Sequence, residues 1–366
     1  MKNQSKVVVI IPAYEPPSSF IDYTKSLVNE GFGAVVVVND GSNEKYDYVF
    51  DSISQIDRCT VLSYGENHGK GYALKTAFKH CKENYDDSYV FVTADCDGQH
   101  LLKDVMNVAA TAWEHQNELI LGSRDFSLEH VPARSRAGNV NIRRMFKFFY
   151  GLSLSDTQTG LRACSYSLLH KLIDVKGDRF EYEMNMLIIL HKSHYSILEV
   201  PIETVYEEKS DDVDKVSHFK TISDSVKVMA TLFQNLGLYV ISSLSSAFID
   251  IITFFLLVNY APFEMNVLVA TVGARIISSI VNFSINYKVV FNGRSIKSIF
   301  KYYTLWTLQL SASYGAASFA NYLFSTIITG LTPTVANLLT TLVKGFFDLC
   351  LSVISYQVQS RWVFKK

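Results

Sequence analysis

The chain has 366 residues, of which 48% are hydrophobic and 19% charged, and its formal net charge is −1. This length allows two domains, and the near-neutral charge excludes the strongly basic class of nucleic-acid-binding proteins. The five cysteines show no CxxC or other metal-type spacing, which predicts reduced thiols. Charged residues concentrate before Leu236, and the apolar run before Pro12 is too short for a signal peptide. We therefore expect the N-terminal domain to lie in the cytosol.

Apolar strands alternate with helices through the first half of the chain. Strands are predicted over 7–11, 34–38 and 89–93, with helices between them. This alternation predicts a mostly parallel sheet covered by helices on both faces. Because ligands bind beyond the carboxyl ends of such strands, the polar residues that follow each strand are candidate site residues. They are Tyr14 with Glu15, then Asp40, then Asp95 with Asp97.

Asp95 and Asp97 follow the third predicted strand. Residues two apart on an extended chain point to the same side, so the two carboxylates can share one divalent cation with diphosphate oxygens. Gln99 can supply a third oxygen. Such a cation would neutralise the charge that grows on a leaving nucleoside diphosphate.

Residues 67–75 read NHGKGYALK and place glycines on both sides of Lys70 at the start of a predicted helix. The N–H groups at a helix N-terminus suit a phosphate. The motif is not a P-loop, because the GxxxxGKS or GxxxxGKT spacing is missing.

Four apolar stretches follow in the second half, over 237–258, 267–291, 302–329 and 334–358. Each is long enough, at about 20 residues, to cross a bilayer as a helix. Basic residues lie in the loop between the second and third stretches and in the C-terminal tail, and the other two loops have none. The positive-inside rule therefore predicts a multi-pass protein of the cell membrane with a cytoplasmic N-terminal domain and C-terminus. Segment 219–236 has apolar residues at three- and four-residue steps, which predicts an amphipathic helix in the membrane interface.

Four ionisable residues fall inside the predicted spans: Asp250, Arg275, Lys344 and Asp348. An isolated charge there costs roughly 2.5–3.5 kcal/mol, so we expect Lys344 to pair with Asp348 and Arg275 to meet Asp250 across the bundle. These residues form either a structural polar core or a site for a lipid phosphate group. Segments 282–291 and 356–364 also resemble each other at an offset of about 73 residues, which predicts two helical hairpins of common design.

The ordered motifs of the first half resemble those of one enzyme family. IIPAYE, VVNDGS, NHGKGYALK, TADCDGQH, GSR at 122–124 and DTQTGLRA at 156–163 are similar to the family 2 glycosyltransferases of the GT-A fold. Among these they resemble the polyprenyl-phosphate glycosyltransferases, which include dolichyl-phosphate mannose synthase. The four apolar stretches resemble the GtrA-like family. The resemblance implies an α/β, Rossmann-like GT-A domain over 1–218, an interfacial helix over 219–236 and an all-α four-helix transmembrane domain over 237–366.

The resemblance also implies a role for each matching residue. The nucleotide base and ribose would be held by Pro12, Tyr14, Glu15 and Asp40, and Lys70 would support the donor. Mg²⁺ or Mn²⁺ and the diphosphate would be bound by Asp95, Asp97 and Gln99. The acceptor phosphate would be bound by Arg124 and Arg136. The pocket for sugar and acceptor would be shaped by Asp156, Gln158, Thr159 and Arg162 and lined by Glu181 and Glu183. Arg143 and Arg144 are expected in a solvated or lipid-facing basic patch instead.

The implied activity is metal-dependent, inverting transfer of one sugar from a nucleotide sugar to polyprenyl (undecaprenyl) phosphate on the cytoplasmic membrane face. A UDP-sugar is favoured over GDP-mannose as the donor. The membrane domain would assist translocation of the lipid-linked sugar for cell-wall or surface polysaccharide, and its buried charges favour a homo-oligomer. Two alternatives stay open. One is a processive polysaccharide synthase, whose QxxRW motif is approached with the wrong spacing by QVQSRW at 357–362. The other is a lipid-linked-sugar flippase as the main role.

Overall fold

The computed structural model describes residues 4–129, 131–203, 221–260, 267–291, 293, 295–324, 328 and 332–364. The chain divides into two compact units, Met1–Leu232 and Phe233–Lys366. Each unit is described by itself.

The first unit alternates strands and helices, as the sequence pattern predicts. Its strands are β1 (Val7–Ala13), β2 (Ala34–Asp40), β3 (Cys59–Tyr64), β4 (Val90–Thr93), β5 (Leu119–Arg124), β6 (Arg162–Ser165) and β7 (Ile197–Ile202). Its helices are α1 (Ser19–Glu30), α2 (Asp47–Ser54), α3 (Lys70–Asn84), α4 (Leu102–Glu114), α5 (Ala133–Tyr150), α6 (Tyr166–Ile173) and α7 (Glu181–Lys192).

The strands form one seven-stranded sheet in the order β3-β2-β1-β4-β6-β5-β7. All neighbours pair in parallel except β6, which runs antiparallel to both β4 and β5. The predicted mostly parallel α/β sheet is therefore confirmed. The reversed strand has a consequence for the site, because the residues that precede β6 arrive at the sheet edge where β4 and β5 end.

Helices cover both faces of this sheet. Every residue of β1, β2 and β4 is buried, which explains their continuous runs of valine and isoleucine. Side chains of alternate strand positions pack into two separate apolar cores, one containing Val8, Ile10 and Phe78 and the other containing Val9 and Ile11. The register places Ala13 opposite Asn39, so β1 and β2 end side by side.

The second unit is helical, and its first helix begins within the first unit. It contains most of α8 (Thr221–Tyr260), followed by α9 (Val267–Ile285), α10 (Lys297–Tyr322) and α11 (Pro333–Val358). Of the segment predicted as an interfacial helix, 219–236, the structure describes residues 221–236. These continue without a break into the first predicted span, because both belong to α8. Among the described residues, one helical segment, Leu236–Leu257, is long and apolar enough to cross a membrane, with 22 residues and a mean hydropathy of 2.0.

The structure confirms the predicted repeat of two helical hairpins. Both α9 and α11 end in a five-residue π-helix, Asn286–Val290 and Gln359–Val363, and these begin 73 residues apart. The equivalent residues meet: Asn286 Nδ2 donates to Gln359 Oε1 at 3.1 Å, and the rings of Phe291 and Phe364 stack with centroids 5.0 Å apart.

Candidate active site

The ends of β1 and β2 are tied together by the turn that follows β2. The N–H of Glu15 donates to Ser42 Oγ at 2.8 Å, and Asn43 Nδ2 donates to the Glu15 carboxylate. Glu15 adopts a positive φ of 47°, which turns the chain sharply after β1. Pro12 is buried within β1, whereas Tyr14 and Glu15 are half-buried. The structure thus brings these predicted nucleotide-binding residues together at one strand edge.

Asp40, the last residue of β2, holds the NHGKG loop. Its carboxylate accepts hydrogen bonds from the N–H groups of His68 at 3.0 Å and Gly69 at 2.9 Å, from Asn67 Nδ2 at 3.0 Å and from Tyr64 OH at 2.8 Å. Burial raises the pKa of Asp40, and these hydrogen bonds oppose that shift. In the structure, both carboxylate oxygens of Asp40 bind the loop that precedes Lys70, and its role in holding base and ribose stays a prediction.

Lys70 is the first residue of α3, and its ammonium lies between two carboxylates. Its Nζ is 2.7 Å from Asp95 Oδ1 and 3.0 Å from Glu183 Oε1. Burial lowers the pKa of Lys70, but the two carboxylates outweigh it and the net shift is upward. Gly69 packs the loop before Lys70 against the segment that precedes α7, because it has a φ of 107° and a Cβ there would lie 2.7 Å from the carbonyl oxygen of Asp178.

Asp95 and Asp97 follow β4 and differ in surroundings. Asp95 Oδ2 is also 3.2 Å from Nε2 of the buried His100. Burial raises the pKa of Asp95, but Lys70 and His100 lower it by more, to well below its usual range. Asp97 has access to solvent, and desolvation followed by the charge of Asp95 raises its pKa. The side chain of Gln99 is exposed beside them, and its N–H donates to Asp97 Oδ1 at 3.1 Å.

Sequence reasoning assigned no role to His100 or Tyr23. His100 fixes Asp95, and Tyr23 OH donates to the His100 carbonyl at 2.9 Å, which anchors the segment to α1. The sequence could have indicated His100, because it stands at the end of the TADCDGQH motif. It could not have indicated Tyr23, whose partner lies 77 residues away along the chain. Among the described residues, no group of three or more His, Cys, Asp or Glu side chains is arranged to hold a metal ion. One or two carboxylates that share Mg²⁺ with substrate phosphates need no such group.

The loop before β6 connects this carboxylate cluster to a second region. A Cβ on Gly160 would lie 2.3 Å and 2.5 Å from the two carboxylate oxygens of Asp95, so the loop backbone packs directly against that side chain. At the other end of the loop, Asp156 is fully buried and accepts from Arg124 Nε at 2.7 Å and from Arg124 Nη2 at 3.4 Å. Glu199 on β7 accepts from the Asp156 N–H at 3.2 Å.

A cavity of about 510 Å³ opens beside Arg124. Its lining includes three arginines, Arg124, Arg136 and Arg143, and two acidic residues, Asp125 and Glu199, so the arginines outnumber the carboxylates by one. Arg136 is exposed and donates to the Leu128 carbonyl at 2.8 Å. Arg143, which was expected in a solvated or lipid-facing basic patch, lines this cavity and is half-buried. Arg136, Val140 and Arg143 follow the i, i+4, i+7 spacing of one helix face, so their common position on α5 was a usable signal in the sequence.

The other predicted pocket residues have mainly structural contacts. Arg162 is buried and donates to the carbonyls of Thr159 at 2.9 Å and Glu183 at 2.8 Å, which fixes the loop against α7. The Thr159 hydroxyl accepts from the Leu161 N–H at 3.2 Å. Glu181 accepts from two N–H groups at the start of α7, and Gln158 is exposed. Arg162 therefore shapes the site through the loop backbone.

Comparison with known proteins identifies both halves of the chain. Residues 8–175 match the family described as glycosyl transferase family 2, and residues 238–364 match the GtrA/DPMS transmembrane domain. An uncharacterized protein of Methanocaldococcus jannaschii is 33% identical, over 57% of this chain and 85% of its own length. The UDP-N-acetylglucosamine–dolichyl-phosphate N-acetylglucosaminyltransferase of Methanococcus voltae is 28% identical, over 56% and 87%. The dolichyl-phosphate hexose transferase of Haloferax volcanii is 30% identical, over 50% and 74%.

These matches agree with the geometry of the strand-end carboxylates and with the helical second unit. The chain belongs to glycosyl transferase family 2 and is a glycosyltransferase that carries a GtrA/DPMS transmembrane domain.

Proposed function

We propose that this chain transfers one sugar from a nucleotide sugar, a UDP-sugar by preference, to a polyprenyl phosphate at the cytoplasmic face of the membrane. One observation carries this proposal. The loop 156–161 contacts Asp95 through Gly160 and Arg124 through Asp156, so a leaving-group site and a site for an anionic acceptor lie on either side of one short segment.

The donor side offers hard oxygen ligands and a fixed cation. Asp97, Asp95 and Gln99 supply oxygens that fit Mg²⁺ or Mn²⁺, and Asp97 faces solvent where a diphosphate could share the ion. When bound, the metal would neutralise charge on the departing nucleoside diphosphate. Lys70 keeps Asp95 ionised and in place, because its ammonium is 2.7 Å away. The strand edge at Tyr14 and Glu15 would receive the nucleoside.

The acceptor side is the arginine cavity. Three arginines against two carboxylates around about 510 Å³ leave a positive surplus that suits a phosphate, because guanidinium N–H groups donate well to phosphate oxygens. A phosphate oxygen of the acceptor is already ionised at neutral pH, so the attack on the anomeric carbon requires no strong general base. Arg124, held by Asp156, would orient that oxygen opposite the leaving diphosphate, which gives inversion. The Methanococcus voltae and Haloferax volcanii relatives are named for transfer to dolichyl phosphate, which supports this acceptor class.

For the rest of the chain we propose a catalytic domain over 1–218, an interfacial segment over 219–236 and a membrane domain over 237–366. The catalytic domain and C-terminus are cytoplasmic in this proposal, the membrane domain assists translocation of the lipid-linked sugar, and the chain assembles as a homo-oligomer.

The test is a transfer assay with the purified full chain. UDP-glucose, UDP-N-acetylglucosamine and GDP-mannose are each combined with undecaprenyl phosphate and with Mg²⁺, Mn²⁺ or a chelator. We expect a single lipid-soluble sugar phosphate from a UDP-sugar, with loss of the product in chelator and in Asp97→Ala. Asp51→Ala, an exposed carboxylate change on α2, is the matched control and should keep the wild-type rate.

Two results would contradict this proposal. If Asp97→Ala transferred sugar at the wild-type rate, the proposed leaving-group site would be wrong. A polymeric product would favour the processive synthase. The structure places residues 357–362 in the second unit, where Gln359 is buried and donates to Tyr239 OH at 3.3 Å. That setting gives no support to a catalytic role for QVQSRW.

A further inference from the structure

The second unit contains a polar cavity of about 220 Å³. All three of α8, α9 and α10 contribute to its wall, as does Gln359 from the π-helix after α11. Along α8 the lining runs from Tyr239 to Asp250, which is about 16 Å at 1.5 Å per residue. Polar groups are expensive in a transmembrane domain, and interiors are normally close-packed. A polar core that served only to hold helices together does not require such a space.

The wall is built mainly from neutral hydrogen-bonding groups. Asn282 links two of these helices to its own, because it donates to Ser246 Oγ at 3.0 Å and accepts from Tyr302 OH at 2.8 Å. Ser243, Gln309 and Gln359 add further hydroxyl and amide groups. Asn282 already uses both amide protons and both acceptor sites of its oxygen, and so it holds the wall in place. Ser243, Gln309 and Gln359 each have an oxygen with spare acceptor capacity, since a hydroxyl or an amide oxygen can accept twice.

The charges on the wall cancel. Arg275 Nε is 3.7 Å from Asp250 Oδ2, as the sequence predicted, and Ser278 Oγ donates to Asp250 Oδ1 at 3.0 Å. The lining therefore carries one positive and one negative group and no surplus charge. This differs from the cavity beside Arg124, and it disfavours a phosphate group as the occupant. The predicted partner of Asp348, the Lys344 side chain, lies outside the described residues.

Aromatic rings complete the lining. Tyr239, Tyr302 and Trp306 place apolar ring surfaces next to the hydrogen-bonding groups. A ligand matched to this wall has many hydroxyl groups, apolar C–H faces and no charge. Those are the properties of a sugar ring. The cavity volume of about 220 Å³ equals about seven water molecules at roughly 30 Å³ each, which leaves room for one sugar ring but not for a nucleotide.

We propose that this cavity binds the sugar ring of a membrane-embedded, lipid-linked hexose. The proposal rests on the proposed function for the identity of the lipid-linked sugar. It assigns the transmembrane domain a specific ligand group, which the sugar-transfer reaction does not require.

The experiment measures binding of three ready-made probes by the fluorescence of Trp306. The chain has three tryptophans, so Trp113→Phe with Trp362→Phe leaves Trp306 as the sole reporter. The full chain is titrated, in a detergent without a sugar headgroup, with farnesyl phosphoryl-glucose, farnesyl phosphate and free glucose. We expect saturable binding of farnesyl phosphoryl-glucose that is at least tenfold tighter than binding of either other probe.

Two variants locate the site. Ser243→Leu places a bulky apolar side chain in the cavity and should weaken binding of farnesyl phosphoryl-glucose at least tenfold. Ser284→Leu makes the same change at an exposed position of α9 outside the lining and should leave binding unchanged. Sugar transfer by Ser243→Leu, measured in the same preparation, shows whether that protein is folded. If Ser243→Leu does not fold, the proposal is tested by comparing the binding of the three probes to the protein in which Ser243 is unchanged.

Several results would overturn the proposal. If farnesyl phosphate bound as tightly as farnesyl phosphoryl-glucose, the cavity would be a phosphate site. If free glucose bound as tightly, the ligand would not need to be linked to a lipid. If the fluorescence of Trp306 showed no saturable change, or if Ser284→Leu weakened binding as much as Ser243→Leu does, this cavity would not be the binding site. Because the probes are supplied ready-made, an inactive Asp97→Ala enzyme should still bind them, so failure of this proposal is distinguishable from failure of the proposed function.

Discussion

Replacing Gly160 by alanine should reduce the rate of sugar transfer strongly while reducing the stability of the fold only slightly. In the structure, a Cβ at this position would lie 2.3 Å and 2.5 Å from the two carboxylate oxygens of Asp95, whereas ordinary contacts begin at 3.4 Å. The carboxylate would have to move by about 1 Å. It is held by Lys70 Nζ at 2.7 Å and His100 Nε2 at 3.2 Å, so that movement weakens both contacts.

A displacement of 1 Å at a reacting centre costs on the order of 100-fold in rate. That factor corresponds to about 2.7 kcal/mol of transition-state stabilisation. The loss of folding stability should be smaller, about 1 kcal/mol, because Lys70 keeps its second partner, Glu183, at 3.0 Å. Gly160→Ala should therefore remain folded at room temperature and transfer sugar very slowly.

The assay is the initial rate of sugar transfer at saturating donor and acceptor, titrated with Mn²⁺ and paired with a thermal unfolding scan. Gly65→Ala is the matched control, since its added Cβ meets nothing within 4 Å. A Gly160→Ala rate within threefold of wild type at saturating Mn²⁺ would refute the reasoning that the loop backbone fixes Asp95.

Three further predictions concern the groups around the site. Lys70→Met leaves two carboxylates facing each other and should lower the thermal unfolding midpoint, and adding Glu183→Gln should recover part of that loss because one charge is removed. Glu199→Ala removes the acceptor of two loop N–H groups, which should cost about 1–3 kcal/mol and raise KM for the lipid acceptor more than for the nucleotide sugar. Burial lowers the pKa of His191 below its usual 6.5, so its contribution to stability is complete above that pH and is lost as pH falls. Chemical denaturation from pH 7 to 5 should then show a shallower decline in unfolding free energy for His191→Gln.

Each of these has a clear contrary result. A double Lys70→Met and Glu183→Gln variant less stable than Lys70→Met alone would mean that the remaining carboxylate is not the source of the loss. Equal KM changes for donor and acceptor would place the effect of Glu199 outside the acceptor side. An unchanged pH slope in His191→Gln would show that this imidazole does not control acid sensitivity.

The sequence determined the parallel α/β arrangement and the place of the candidate carboxylates. Continuous buried strands such as 34–38 can only be covered on both faces, and their ends must lie at one edge of the sheet. The strand pattern alone therefore locates Asp95 and Asp97 at that edge. The repeat at an offset of 73 residues could also be predicted from the sequence, because the residue pattern at a helix end is formed by neighbours along the chain.

Contacts between distant segments were decided only by the tertiary structure. The strand pattern carries no sign that β6 runs antiparallel between β4 and β5, yet that reversal presses Gly160 against Asp95 and brings Asp156 to Arg124. Nor does it show that Arg143 shares a cavity with Arg124, or that polar residues from three helices surround one cavity in the second unit. Periodicity fixes where a side chain lies along its own element, whereas the partners it meets depend on how separate elements pack.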